Sequence, residues 1–293
     1  MVKEFARAKI NLTLDILGKR EDNFHEVEMI MQSLELADEI ELEKISDGIK
    51  FSMNAEKIFD GEKIPVDEKN LAYRAVLELE KVCGKKFNIA INMQKKIPAA
   101  AGLGGGSSDA AAVLRGMNKL FDLKFSDEKL CKIGANIGSD VPFCVIGGTC
   151  LAKGRGEILT KLPAMKKFSV VLMKPRGEIS TVWAYKTFDE LSAEKIFHPP
   201  TAIILKLLNI RKYDEALKNF ANVLEPVALK KFPELEVYKQ KMLEAGAKFS
   251  MMSGSGPTIF SLADEEHVEK VAASVKNFDA QIFKTCVQVQ GIG

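Results

Sequence analysis

The sequence predicts an α+β chain of two domains, and three features carry that expectation. The first half holds short segments in which apolar and polar residues alternate, the pattern of half-buried strands. From Ser180 onward the spacing of apolar residues is that of helices. Between them, Gly147-Gly148 and Gly154-Arg155-Gly156 punctuate short strands, so the organisation changes near 150–165. The division is placed at residues 1–155 and 156–293. At 293 residues with 46% apolar composition, the chain is long enough to bury a sizeable core.

Taken in order, residues 10–16 alternate, which puts Lys9, Asn11 and Thr13 on one face, away from the core. Residues 18–23, GKREDN, form a turn. Residues 24–36 and 38–44 read as further strands, and Gly48 separates them from a strand at 49–53. Leu71, Ala75, Leu77, Leu79 and Val82 make 68–82 a helix that Gly84 closes. A strand at 87–93 leads to a glycine-rich loop and a helix running to about Leu120. Ser126 caps a second helix that stops near Gly138, and 168–173 is another strand. Helices follow at about 180–190, 200–209, 212–221 and 233–245, the last with Pro233 at its start. Strands at 247–252 and 258–262 flank Ser253-Gly254-Ser255-Gly256-Pro257. A helix at 265–276 and a strand at 279–287 close the chain.

Composition narrows the function classes. A net charge of +2 lacks the basic excess of a dedicated nucleic-acid binder. The five cysteines include no CxxC pair and no Cys/His cluster, so a zinc site is not expected and reduced thiols are. No apolar run approaches the ~20 residues that span a bilayer. The N-terminal segment is charged throughout, unlike a signal peptide. A cytoplasmic protein without nucleic-acid or membrane partners is expected; its oligomeric state is not legible.

The most informative stretch is GLGGGSSDAAAVL at 102–114, directly after Ile97-Pro98-Ala99-Ala100-Ala101. Four glycines in five positions are costly to order, yet they stand at the mouth of a strong helix former. A helix N-terminus offers unpaired N–H groups and the positive end of a dipole, and glycines let an anion come close. With the hydroxyls of Ser107 and Ser108, the stretch reads as a phosphate cradle. It is not a P-loop, since no lysine follows the glycines, nor a Rossmann fingerprint, whose third glycine is replaced by Ser107. Protein-kinase HRD and DFG strings are absent.

Residues 98–111, PAAAGLGGGSSDAA, resemble the second motif of the GHMP kinase superfamily. Ala8-Lys9-Ile10-Asn11-Leu12 resembles its N-terminal lysine strand, and Ser253-Gly254-Ser255-Gly256-Pro257-Thr258 its C-terminal glycine loop. GKREDNFHE at 18–26 and IGSDVPF at 137–143 are similar to strings of those members that phosphorylate a cytidine diphosphate-linked methylerythritol. The resemblance implies a β-rich N-terminal domain, like domain 2 of ribosomal protein S5, packed on a smaller α+β domain with the active site in the cleft. It implies transfer of the γ-phosphoryl group of ATP, with Mg²⁺, to the 2-hydroxyl of that small molecule. Rival expectations are a homoserine- or mevalonate-type kinase of the same superfamily, against which the NFHE string and GGG loop argue, and a non-catalytic RNA-binding module.

The resemblance also implies roles residue by residue. Asp140 matches the general base, although the residues alone favour a helix N-cap ahead of Pro142. Lys9 matches the lysine that pairs with that carboxylate and polarises the acceptor hydroxyl; alone it reads as a solvated strand lysine. Pro98, Ala99, Ala100, Ala101, Gly102, Leu103, Gly104, Gly105, Gly106, Ser107 and Ser108 match the ATP loop. Asn70 and Lys95 resemble positions near adenine and the phosphates, and equally a helix-start asparagine and a strand-end lysine. Asn11, Phe24, His25, Thr181 and Tyr185 match the acceptor side, where an aromatic pair sandwiches the base and the histidine reads its edge. The metal ligands are unknown. Gly254 and Gly256 line the cleft or merely make a hairpin, and Arg155 faces phosphate or sits in a turn.

Overall fold

Two long antiparallel strands, β1 (Val2–Lys19) and β2 (His25–Lys44), organise the first half of the chain. The computed structural model describes residues 1–55, 64–191 and 196–289. The turn between β1 and β2 places Asn23 at φ 65°, a left-handed conformation that asparagine tolerates. β2 is one strand where two were expected, and Phe24 lies just ahead of it in the turn. Register shifts along the β1–β2 ladder bend and twist the pair. The other edge of β2 then serves two partners. β4 (Ile89–Gln94) pairs with residues 39–44 and β5 (Thr149–Lys153) with residues 29–32. β3 (Ile49–Asn54) lies parallel to β4, and β6 (Ile158–Lys161) antiparallel to β5, completing six strands. Helices α2 (Gly105–Leu120) and α4 (Val141–Ile146) pack against this sheet, and α1 (Leu71–Cys83) and α3 (Asp127–Ala135) pack against α2.

The second half builds an antiparallel sheet in the order β10 (Ala280–Cys286), β7 (Ser169–Pro175), β9 (Ile259–Ala263), β8 (Phe249–Met252). Its helices are α5 (Thr181–Asp189), α6 (Thr201–Asn209), α7 (Tyr213–Leu217), α8 (Glu225–Lys231), α9 (Glu234–Glu244) and α10 (Val268–Ser274). The change of sheet falls between Lys161 and Ser169, so a division after residue 155 would detach β6 from the sheet it belongs to. The α+β, two-part organisation is otherwise as expected. Among the described residues no helix is long and apolar enough to cross a membrane.

The two halves share a core. Ala8, Ile10 and Leu12 of β1 pack with Val170, Leu172 and Phe260 of the second sheet. Fully burying a large apolar side chain is worth ~1.5–3 kcal/mol, so this packing outweighs the few main-chain bonds between the halves, such as Leu14 N to Ala221 O. The contact also corrects the reading of β1. Lys9, Asn11 and Thr13 do not face solvent: they are 5%, 1% and 0% exposed. Alternation marks a half-buried strand only when one face meets water. Here the apolar face meets the second sheet, while the glycine loop and α4 cover the side chain of Lys9.

Candidate functional site

Between the halves lies a cavity of about 1100 Å³. Residues 98–107, the turn before β2, the start of α5 and the 254–256 loop all contribute to its wall. Cavities that hold drug-sized ligands run to ~300–1,000 Å³, so this one has room for a nucleotide and a second molecule.

Helix α2 begins in that wall without a cap. Gly104, at φ 68°, is its N-cap residue; no side chain bonds the first turn, and that turn holds no acidic residue. The Ser108 amide is the first to bond back, to Gly104 O at 2.8 Å, so those of Gly105, Gly106 and Ser107 precede the intrahelical ladder. Sixteen residues of helix dipole point their positive end at the same spot. The loop ahead is gripped from two sides: Lys9 N donates to Leu103 O at 3.0 Å, and Ser253 Oγ to Gly102 O at 3.0 Å. Glycine is required there. A Cβ on Gly102 would lie 2.2 Å from Ser253 O, and one on Gly104 2.9 Å from Lys9 Cγ. Gly106 differs: its nearest neighbour would be Leu71 Cδ1 at 3.5 Å, an ordinary contact. Of the two serines only Ser107 lines the cavity. Ser108 is buried and its hydroxyl donates to the Arg7 carbonyl, which corrects the expectation that both hydroxyls join the cradle.

Asp140 occupies the N-cap position of α4, but its side chain makes no capping bond. Its Oδ2 lies 3.2 Å from Lys9 Nζ, which donates to Asn11 Oδ1 at 2.8 Å. An ammonium buried in a strand is thereby held by two acceptors, with the carboxylate partly open to the cavity. Behind the pair, burial pushes the Cys144 thiol up to about 12, so it stays protonated at neutral pH.

Lys95 and Asn70 line the cavity, but their polar groups are engaged by protein. Asn70 caps α1, accepting from Ala72 N at 2.9 Å and donating to Pro65 O at 2.7 Å. Lys95 Nζ pairs with Asp38 and, at 2.6 Å, with Asp109 of α2. Asp38 also accepts from the amides of Lys96 and Ile97. The two ends of the glycine loop, at 95–97 and 109, are thus tied together beneath it. Burial pushes the Asp109 carboxyl above the usual range against the pull of Lys95, and Asp38 beside it adds to the rise.

Phe24, also in the cavity wall, is 50% exposed, with the Arg155 guanidinium 4.9 Å from its ring centre. His25 and Tyr185 meet at 4.9 Å between centroids, tilted by 41°. Thr181 and Ser255 hydroxyls are 3.1 Å apart, which links α5 to the 253–256 loop. The loop is shaped by Asn222, whose Nδ2 donates to Met252 O and Gly254 O at 2.9 and 2.8 Å. Asn222, Asp38 and Asp189, which lies 2.7 Å from His25 Nε2, are contributors that sequence reading missed. Each acts from a segment remote in the chain. Asp109 was missed too, although it stands inside the glycine-loop string.

Comparison with known proteins gives one consistent relation. The GHMP kinases N terminal domain matches residues 70–148 and the GHMP kinases C terminal domain residues 204–281. A 4-diphosphocytidyl-2-C-methyl-D-erythritol kinase of Acetivibrio thermocellus is 41% identical over 283 residues, 96% of each chain. The crystal structure of a 4-(cytidine 5'-diphospho)-2C-methyl-D-erythritol kinase superposes with a TM-score of 0.81 at 30% identity, covering 100% of both chains. A homoserine kinase from Cytophaga hutchinsonii shares the fold, with a TM-score of 0.75 at 21% identity over 99% of this chain and 97% of its own.

The buried triad has a pH signature. The native chain holds the Asp109 proton more tightly than the unfolded chain does. Above the ordinary carboxylate pKa of ~4, the native state therefore binds more protons, and stability falls as pH rises. Asp109→Asn cannot ionise, so its urea-unfolding free energy should fall less steeply than that of the wild type between pH 4 and 9. Parallel curves would contradict the assignment.

Proposed function

Because the chain belongs to the GHMP kinase family, we propose that it transfers the γ-phosphoryl group of ATP to the 2-hydroxyl of 4-diphosphocytidyl-2-C-methyl-D-erythritol. One observation carries the reading: the uncapped start of α2 and the Lys9–Asp140 pair open into the same cavity. The amides of Gly105, Gly106 and Ser107 would receive the phosphates, with the helix dipole behind them. The acceptor hydroxyl would sit between Lys9 Nζ and Asp140. Phosphoryl transfer has a loose transition state, so positioning and charge stabilisation matter more than early deprotonation. Asp140 would orient the hydroxyl and take its proton late, and Lys9, fixed by Asn11, would stabilise the charge that develops.

ATP is used with Mg²⁺, a hard cation that keeps several waters and binds phosphate oxygens. The Ser107 hydroxyl, facing the cavity at the helix mouth, is a donor of the right kind to join them. Bound there, the ion would neutralise phosphate charge. Phe24 and Tyr185 would stack on the cytosine, worth ~1–3 kcal/mol per base, and His25 would read its edge. Lys95 and Asn70 act in this scheme by holding the loop and α1 in place.

ADP release with the cytidine-linked polyol, homoserine and mevalonate tests the substrate, and turnover is expected with the first alone. Asp140→Asn and Lys9→Met should each lower turnover by ~10²–10⁴-fold while leaving ATP affinity, measured by calorimetry, nearly unchanged. Near-normal turnover in Asp140→Asn would refute its role. Gly106→Ala separates ligand from fold. Alanine is the better helix former by ~1 kcal/mol, and the protein leaves space for it, so stability should hold or rise. Nucleotide affinity should nevertheless drop by about tenfold or more, a loss of ~1.4 kcal/mol, because the methyl would stand where phosphate docks.

A further inference from the structure

His25 has a partner from a distant element. Its Nε2 lies 2.7 Å from Oδ1 of Asp189, the last residue of α5. Lys19 Nζ lies 3.2 Å from the other oxygen of the same carboxylate. Partial burial would raise the Asp189 carboxyl, but His25 and Lys19 together hold it below its ordinary range, so it is ionised at neutral pH. An ionised carboxylate can only accept, so His25 Nε2 carries the hydrogen. In the neutral ring the lone pair then belongs to Nδ1. Nδ1 has no hydrogen-bond partner among the described residues. The ring lines the cavity against Tyr185, and with its side chain 9% exposed it has little freedom to turn.

We propose that Asp189 is a positioning residue for base selection: it fixes His25 with Nε2–H toward itself, which leaves Nδ1 as an acceptor for the ligand. Such an acceptor favours a pyrimidine edge bearing an amino group over one bearing a carbonyl at the same place. Cytosine and uracil differ in that way, a donor N4 amino group against an acceptor O4. A carbonyl opposite Nδ1 would leave two buried lone pairs unpaired, and sites built on such pairing discriminate strongly. The inference rests on the reading of Phe24, His25 and Tyr185 as the base site. Lys19 has a supporting part, since it occupies the second carboxylate oxygen and keeps Asp189 from rotating away.

The test measures kcat and KM with the cytidine diphosphate substrate and its uridine analogue for wild type, Asp189→Ala, Asp189→Glu and His25→Ala. The ¹⁵N shifts of the His25 ring are recorded alongside. The wild type should prefer cytidine and show the Nε2–H form. Asp189→Ala should raise KM for the cytidine substrate about tenfold and narrow the cytidine-to-uridine preference. It should mix the ring tautomers and leave KM for ATP unchanged, whereas Asp189→Glu should restore part of the preference. If Asp189→Ala keeps both preference and tautomer while His25→Ala loses the preference, the role of Asp189 is overturned and the base site stands. If His25→Ala also keeps the preference, the base site itself is wrong and the proposal falls with it.

Discussion

The structure turns on a backbone contact between two glycine loops. Gly102 O accepts from Ser253 Oγ, and a methyl on Gly102 would overlap the Ser253 carbonyl at 2.2 Å. A Cβ on Gly254 would in turn meet Gly102 O at 3.1 Å and Lys9 Nζ at 3.4 Å. Residues from the second half of the chain therefore reach the mouth of α2 and the side chain of Lys9 at once. Without so close an approach the two sheets could still bury apolar surface, but the helix start, the ammonium and the Asp140 carboxylate would not share one cavity. The entropic cost of ordering four glycines is offset by that convergence and by the packing of Ala8, Ile10 and Leu12 behind it.

Buried charge is the second constraint. Lys95 has two carboxyl groups at contact distance, and Lys9 has Asp140 and Asn11. Desolvating ions is expensive, and a buried pair is seldom a net gain in stability. Its value lies in geometry: with each ammonium held by two acceptors, the loop it supports has little room to drift. Preorganised charge of this kind is what a phosphoryl-transfer site needs, because its groups must already point at the developing charge. The divided work of the lysines follows from surroundings. Lys9 reaches a carboxylate that borders the cavity, whereas Lys95 is closed in by Asp38 and Asp109.

Much of this was legible in the residues. Alternation located β1 and β4, the cap at Ser126 fixed the start of α3, and the glycine run marked the anion-ready helix. What failed did so for physical reasons. Period-two alternation in 10–16 cannot reveal that a second sheet covers the apolar face and a loop the polar one, so it points Lys9, Asn11 and Thr13 at solvent. Asp140 is in an N-cap position by spacing, yet a lysine 131 positions away in sequence claims its side chain. Ser108 is indistinguishable from Ser107 as a letter, but helical rotation turns its hydroxyl into the core. Asp38, Asn222 and Asp189 carry no local signal, since each gains its part only through a long-range contact.

The most direct measurement is a crystal structure with a non-hydrolysable ATP analogue and the cytidine-linked acceptor. The β- and γ-phosphates are expected on the amides of Gly105, Gly106 and Ser107, and an acceptor hydroxyl within hydrogen-bond reach of both Lys9 Nζ and Asp140. A nucleotide bound away from the start of α2, or an acceptor hydroxyl that touches neither side chain, would contradict it.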